Sequence, residues 1–187
     1  MLELVPLMGT KKPMLAPTEV LSSILEKPTD IERVRALVTP DVTYVSLNYE
    51  NPVQKRIMPW TGTYRGPESI VKTFVDVGRY WEIQSFEPEA LFGTDEYAAM
   101  FGRFTYRSRV LSKIVTTPFA VFAKVEHGRC TYLPFMEDTF ATGGSFHSGG
   151  SWTFQGDPNG ERVVLQATVS FTSPRADGCL AAARLRR

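Results

Sequence analysis

The chain has 187 residues, enough for one full-sized domain and too few for two. Twenty-one basic residues against twenty acidic ones leave a formal charge of +1, so no overall field draws it to nucleic acid or to an anionic membrane. Two cysteines, Cys130 and Cys179, build no disulfide framework and no C-x-x-C metal site, and the opening MLELVPLMGTKKPM, broken by Pro6 and Pro13, lacks the apolar run of a signal peptide or membrane span. A reducing cytoplasm is the expected compartment.

In chain order, residues 1–17 carry three prolines and no sustained period, and read as an arm. Thr18 is the expected cap of a first helix, with Leu21, Ile24 and Leu25 at helical spacing and Pro28 as its stop. Thr29 or Asp30 caps a second, whose stripe is Ile31, Val34, Leu37 and Val38, ending before Pro40. DVTYVSLN (41–48) alternates as a strand, with Tyr44, Ser46 and Asn48 on one face. An irregular link, NPVQKRIMPWTGTYRG, leads to Pro67, which opens a helix with Ile70, Phe74, Val77 and Trp81 on one side.

The period then changes from helical to strand-like. SFEPEALFG (85–93), YAAMFGRFTYRSRV (97–110), IVTTPFAVFAKVE (114–126) and RCTYLPFMED (129–138), separated by turn signals, predict a four-strand antiparallel meander. Pro118 and Pro134 are expected at bulges or edges, where a missing ladder donor does no harm. Helices followed by a meander make an α+β domain over 18–146, with the helices on one face of the sheet. Residues 147–187 read as a tail with one late strand in RVVLQATVSF.

Three stretches, MPWTGTYRGPESIV, GRYWEI and GRCTYLPFMED, together with this order of elements, resemble the SnoaL-like branch of the nuclear-transport-factor-two-like superfamily, which includes limonene epoxide hydrolase and ketosteroid isomerase. The resemblance implies a cystatin-like cone: a curved antiparallel sheet wrapped against N-terminal helices, enclosing a pocket for a small apolar molecule and pairing as a homodimer through the outer face of the sheet. In the epoxide hydrolases an Asp-Arg-Asp set activates water. Its last member matches Asp138, whereas the other two fall on Thr105 and Arg107, and the water-holding link positions on Lys55 and Ile57. None of these four is the family residue, so the hydrolase mechanism does not carry over.

The resemblance turns the arginine face of strand 97–110 (Arg103, Thr105, Arg107) inward and brings Arg107 to Asp138. Asp138 is the expected general acid/base, with Arg107 steadying an enolate or carboxylate. Glu137 is the reserve acid, exchanged with Asp138 if a bulge follows Pro134. Tyr44, Asn48, Trp60, Tyr64, Arg103 and Thr105 are the expected substrate contacts. His127 and His147 are poorly placed, and neither metal nor cofactor is expected. The function expected is proton transfer on an apolar or polycyclic carbonyl compound by an isomerase, cyclase or dehydratase; a non-catalytic binding or dimerisation module is the alternative, and an epoxide hydrolase with a rearranged triad the third choice.

Overall fold

The structure, a computed structural model, describes residues 14–145, 152–156 and 163–167. The chain runs α1 (Pro17–Glu26), α2 (Ile31–Leu37), β1 (Val38–Ser46), α3 (Pro52–Ile57), β2 (Gly62–Arg65), α4 (Pro67–Tyr80), β3 (Trp81–Gly93), β4 (Tyr97–Ser108), β5 (Ile114–Glu126), β6 (Arg129–Glu137) and α5 (Thr139–Gly144). Further on, β7 (Trp152–Gly156) and β8 (Val163–Ala167) pair antiparallel as a separate two-stranded sheet. β8 falls within RVVLQATVSF, whereas β7 was not expected. The remaining expectations for the arm and tail lie outside the described residues.

Six strands form one sheet in the order β2-β1-β6-β5-β4-β3, antiparallel except for the parallel β1–β6 pair. The β3–β6 meander is the one expected from the alternation. Helices α1, α2 and α4 cover one face, giving the α+β cone. Among the described residues, no helix is long and apolar enough to cross a membrane.

Local chemistry explains most boundaries and several departures from expectation. Helix α1 is capped at Ala16 rather than Thr18: Pro17 occupies the first helical position, where no N–H is needed, and Glu19 reaches back to accept from the Ala16 N–H at 2.8 Å. Asp30 caps α2 by accepting from Arg33 N. The link read as irregular contains α3, whose cap Asn51 accepts from Val53 N and Gln54 N, and the edge strand β2. Gly66, at φ +82°, makes the turn that delivers Pro67 to the start of α4.

The meander buries its even-numbered β4 residues. Ala98, Met100, Phe104, Tyr106 and Ser108 face the helices, and Gly102 lies between them with the Phe119 ring laid against it, so close that a Cβ there would stand 2.8 Å from the ring and 2.2 Å from the Glu87 carbonyl. Arg103, Thr105 and Arg107 therefore face outward, against the expectation. Aromatic bulk takes the dry face, while the arginines find cross-strand partners on β3: Arg103 with Glu87 at 2.7 Å and Glu89 at 3.2 Å, and Arg107 with Glu82 at 2.9 Å.

Neither Pro118 nor Pro134 shifts the register. Pro118 pairs with Arg103 and Pro134 with Val45, and the β5–β6 irregularity lies between Lys124 and Val125. From Tyr132 to Glu137 the β6 register against β5 is regular, so Leu133, Phe135 and Glu137 share the inner face with Phe119, the Cα partner of Glu137.

Candidate functional site

A cleft opens between the helices and the sheet where β1, β6, β4 and α4 converge. Its walls are Tyr44, Ser46 and Leu47 of β1 and the residue after it, Trp60 of the link, Thr73, Phe74 and Val77 of α4, Trp81, Tyr106, Phe135 and Glu137. The cavity is narrow, about 20 Å³, room for roughly one water. Aromatic rings form a continuous wall. Trp60 meets Trp81 edge-on at 5.2 Å, Trp81 stacks on Tyr106 at 5.0 Å, and Phe135 lies between Phe119 at 5.7 Å and Phe74 at 6.1 Å.

Among the described residues, Glu137 is the only carboxylate in this wall. The residue as a whole is half-buried, but its Oε1 is closed off from solvent and has no hydrogen-bond partner among the described residues. Burial pushes its carboxyl up to about 8; the Thr142 hydroxyl opposes that rise and the neighbouring Asp138 charge adds to it. The Thr142 hydroxyl has one hydrogen, which it donates to the Asp138 carbonyl at 3.0 Å, so its relief of the carboxylate requires that hydrogen to turn. Burial also raises the phenols of Tyr44 and Tyr106 far above their ordinary value; the Ser46 hydroxyl opposes the rise at Tyr44, and the Glu137 charge adds to both. Burial thus favours the neutral form of both phenols and holds the carboxyl beside them up to about 8.

Asp138, the expected acid, does other work. Its side chain accepts from Phe140 N at 3.0 Å and Ala141 N at 3.1 Å, capping α5 at an exposed position. It does not meet Arg107, which is on the outer face with Glu82. Regular alternation along β6 makes the two acids point apart, and Glu137, the reserve, faces in.

Of the expected substrate contacts, Tyr44 and Trp60 line the cleft. Asn48 donates to the Gln54 side chain, and Tyr64 donates to the Thr61 carbonyl at 2.9 Å; neither is in the wall. Arg103 and Thr105 lie outside, the latter bonded to Thr116 at 2.9 Å. Sequence reasoning missed Trp81, Tyr106, Thr73 and Phe135 as cleft residues. The signal for Tyr106 was the Phe104/Tyr106 alternation, which leaves either face free to be the inner one; the resemblance placed the arginine face there. Among the described residues, no cluster of three His, Cys, Asp or Glu side chains is placed to hold a metal.

Helix α5 follows Glu137 directly after its cap, Asp138. It is held from across the fold: the Trp81 indole N–H donates to Ser145 Oγ at 3.1 Å, and Ser145 Oγ donates to the Thr142 carbonyl at 2.7 Å. Thr142 and Ser145 are both fully enclosed.

Comparison with known proteins agrees with this architecture. Patulin synthesis protein F of Aspergillus clavatus is 41% identical over 139 residues, covering 72% of this chain and 70% of that protein. Patulin biosynthesis cluster protein F of Penicillium expansum is 37% identical over 150 residues, covering 77% and 75%. Among solved structures, an NTF2-like protein from Burkholderia thailandensis superposes with a TM-score of 0.60 at 20% identity, covering 71% of this chain and 98% of its own. TerC, crystallised with polyporic acid, superposes with a TM-score of 0.54 at 19% identity, covering 68% and 95%. At these identities the structural likeness concerns the fold alone. Residues 26–133 match the SnoaL-like domain family, and the chain belongs to that family.

Proposed function

We propose that the protein is a cofactor-independent enzyme of small-molecule biosynthesis that transfers a proton within a small, uncharged, largely apolar carbonyl compound, isomerising, cyclising or dehydrating it, with Glu137 as the acid/base. The observation that carries this reading is the Glu137 carboxyl, enclosed in an aromatic cleft, short of a partner at Oε1 and poised near neutrality. Among the described residues no cation lines the cleft, which suits a neutral substrate better than an anionic one.

In the step so written, the Glu137 carboxylate takes a proton from the carbon beside a carbonyl and becomes the carboxylic acid. The electron pair moves onto the carbonyl oxygen, where the neutral Tyr44 or Tyr106 hydroxyl donates to it. Collapse of the enolate returns that pair. The Glu137 proton goes back to a different carbon in an isomerisation, or to a departing hydroxyl, released as water, in a dehydration. The relatives' names support a role in making patulin or a compound like it.

The test is genetic and chemical. A Penicillium expansum strain lacking its own patulin biosynthesis cluster protein F receives this chain or its Glu137→Gln form, and patulin is measured. Restoration by the wild type and not by an equally abundant Glu137→Gln is expected. Full restoration by Glu137→Gln would remove the catalytic role and favour the second reading, binding without turnover. The narrowness of the cavity supports that reading, since a ligand enters only if wall side chains move.

The outer sheet face supports pairing of two copies. Phe92 stacks on Phe101 at 5.7 Å and Tyr97 on Phe122 at 5.6 Å, and Phe92 and Phe101 are 58% and 44% exposed. Its arginines are already neutralised by Glu82, Glu87 and Glu89, so an identical face matches it in charge as well as in apolar surface.

A further inference from the structure

The face that α4 turns to the cleft carries Thr73, Phe74 and Val77, which follow the buried Ile70 at helical spacing. Thr73 is the one polar residue of the three. It is only 6% exposed, yet among the described residues its hydroxyl makes no hydrogen bond. Two other helical hydroxyls bond back to their own helix: Ser69, one turn earlier in α4, donates to the Gly66 carbonyl at 2.7 Å, and Thr142 in α5 donates to the Asp138 carbonyl at 3.0 Å. A valine in place of Thr73 would pack the same shape and leave no polar group unspent.

Two more groups of the same cleft are unspent. Tyr106 of β4 is 7% exposed and its hydroxyl makes no hydrogen bond among the described residues, and Glu137 Oε1 is without a partner there too. The three come from one helix and two strands, around a cavity with room for roughly one water. In so narrow a space the helix wall and the sheet wall meet the same small molecule. Tyr106 and Glu137, on the sheet side, serve the reacting carbonyl. Thr73, on the helix side, is left to bond an oxygen elsewhere on the ligand.

Resting on the reading of Glu137 as the acid/base, we propose that Thr73 is a specificity-determining residue: from α4 its hydroxyl bonds a second oxygen of the substrate, which is therefore a small carbonyl compound that also bears a hydroxyl, ether or lactone oxygen, and not a simple ketone.

Two neutral probes, cyclohexenone and hydroxycyclohexenone, differ by one such oxygen, and ligand-observed NMR titration measures the binding of each to the full chain. The wild type is expected to bind the hydroxylated probe about tenfold more tightly, the effect of one neutral hydrogen bond made in a dry site. Thr73→Val should bring the two probes to within about twofold of each other and melt no lower than the wild type, while Thr73→Ser keeps the preference. A wild type that binds the probes alike, or binds neither, overturns the proposal, as does a Thr73→Val that keeps the preference. In deuterated water the same spectra report exchange at the carbon beside the carbonyl. Exchange that persists in Glu137→Gln overturns the acid/base reading alone, because the Thr73 comparison is read from binding. Should Thr73→Val not fold, Thr73→Ala carries the comparison, with circular dichroism establishing that the fold is kept.

Discussion

Glu137 and Asp138 are neighbours in the chain with opposite fates: one ends β6 with its Oε1 sealed against aromatic rings, and the other caps α5 in solvent. Strand alternation alone would send them to opposite faces. What distinguishes them chemically is hydrogen bonding. The Asp138 carboxylate receives two backbone N–H bonds, whereas Glu137 Oε1 receives none.

Glu137→Gln is expected to lower turnover of an identified substrate by roughly 10²–10⁴-fold while altering KM little, because the amide keeps the shape and cannot exchange the proton. Steady-state kinetics of the purified variant checks this. A loss confined to KM would make Glu137 a binding group.

Asp138→Asn removes the charge and preserves the cap, since asparagine caps helices about as well. Turnover is expected to stay within about threefold of wild type, with the pH profile displaced to lower pH because a neighbouring negative charge has gone. Asp138→Ala should cost about 1 kcal/mol of stability through the lost cap. A 100-fold loss with Asp138→Asn would return the acid role to Asp138.

The buried carboxyl makes stability depend on pH. Its folded value, about 8, lies above the ordinary 4.5, so between these values the folded state holds more protons than the unfolded one. The stabilisation is fully present below about pH 4.5 and is lost as pH rises through 8, by on the order of 5 kcal/mol at most. Denaturant titrations at pH 6 and pH 9 should show the fall, and Glu137→Gln should abolish it, leaving the variant the more stable protein at pH 9.

Gly102→Ala is expected to destabilise by about 3 kcal/mol, lowering Tm by roughly 10 °C, because the new methyl meets the Glu87 carbonyl oxygen, a backbone atom that cannot step aside. Arg107→Met, by contrast, should cost less than about 1 kcal/mol, since its partner Glu82 is nearly half exposed. Thermal melts of the two variants separate a packing constraint from a surface ion pair.

If two copies pair through the outer face, Phe101→Lys should convert a dimer to a monomer in sedimentation with the fold intact, because Phe101 is exposed and its ring neighbour Phe92 shares that face. A wild-type protein that sediments as a monomer at all concentrations would remove this reading.

Much of the fold was legible before any coordinates. The four meander strands, a cap at Thr29 or Asp30 and the Pro67 helix start follow from alternation, capping chemistry and proline's fixed φ, which act over a few residues. Helix α3 and strand β2 were not legible, because a six-residue helix and a four-residue edge strand carry too little periodicity to stand out from a link with prolines and glycines.

The sequence by itself determined that β6 is a strand with an acid at its end; that Tyr44 and Trp60 share a cleft with that acid is a matter of the tertiary structure. Which face of β4 is dry, and hence which acid is enclosed, was decided only in three dimensions. Alternation defines two faces but does not label them. The label comes from what packs across: Phe119 over Gly102 fills the inner side, and Glu82, Glu87 and Glu89 on the neighbouring strand draw the arginines to the outer one. Glu137, opposite Phe119 in the ladder, takes the inner face with it.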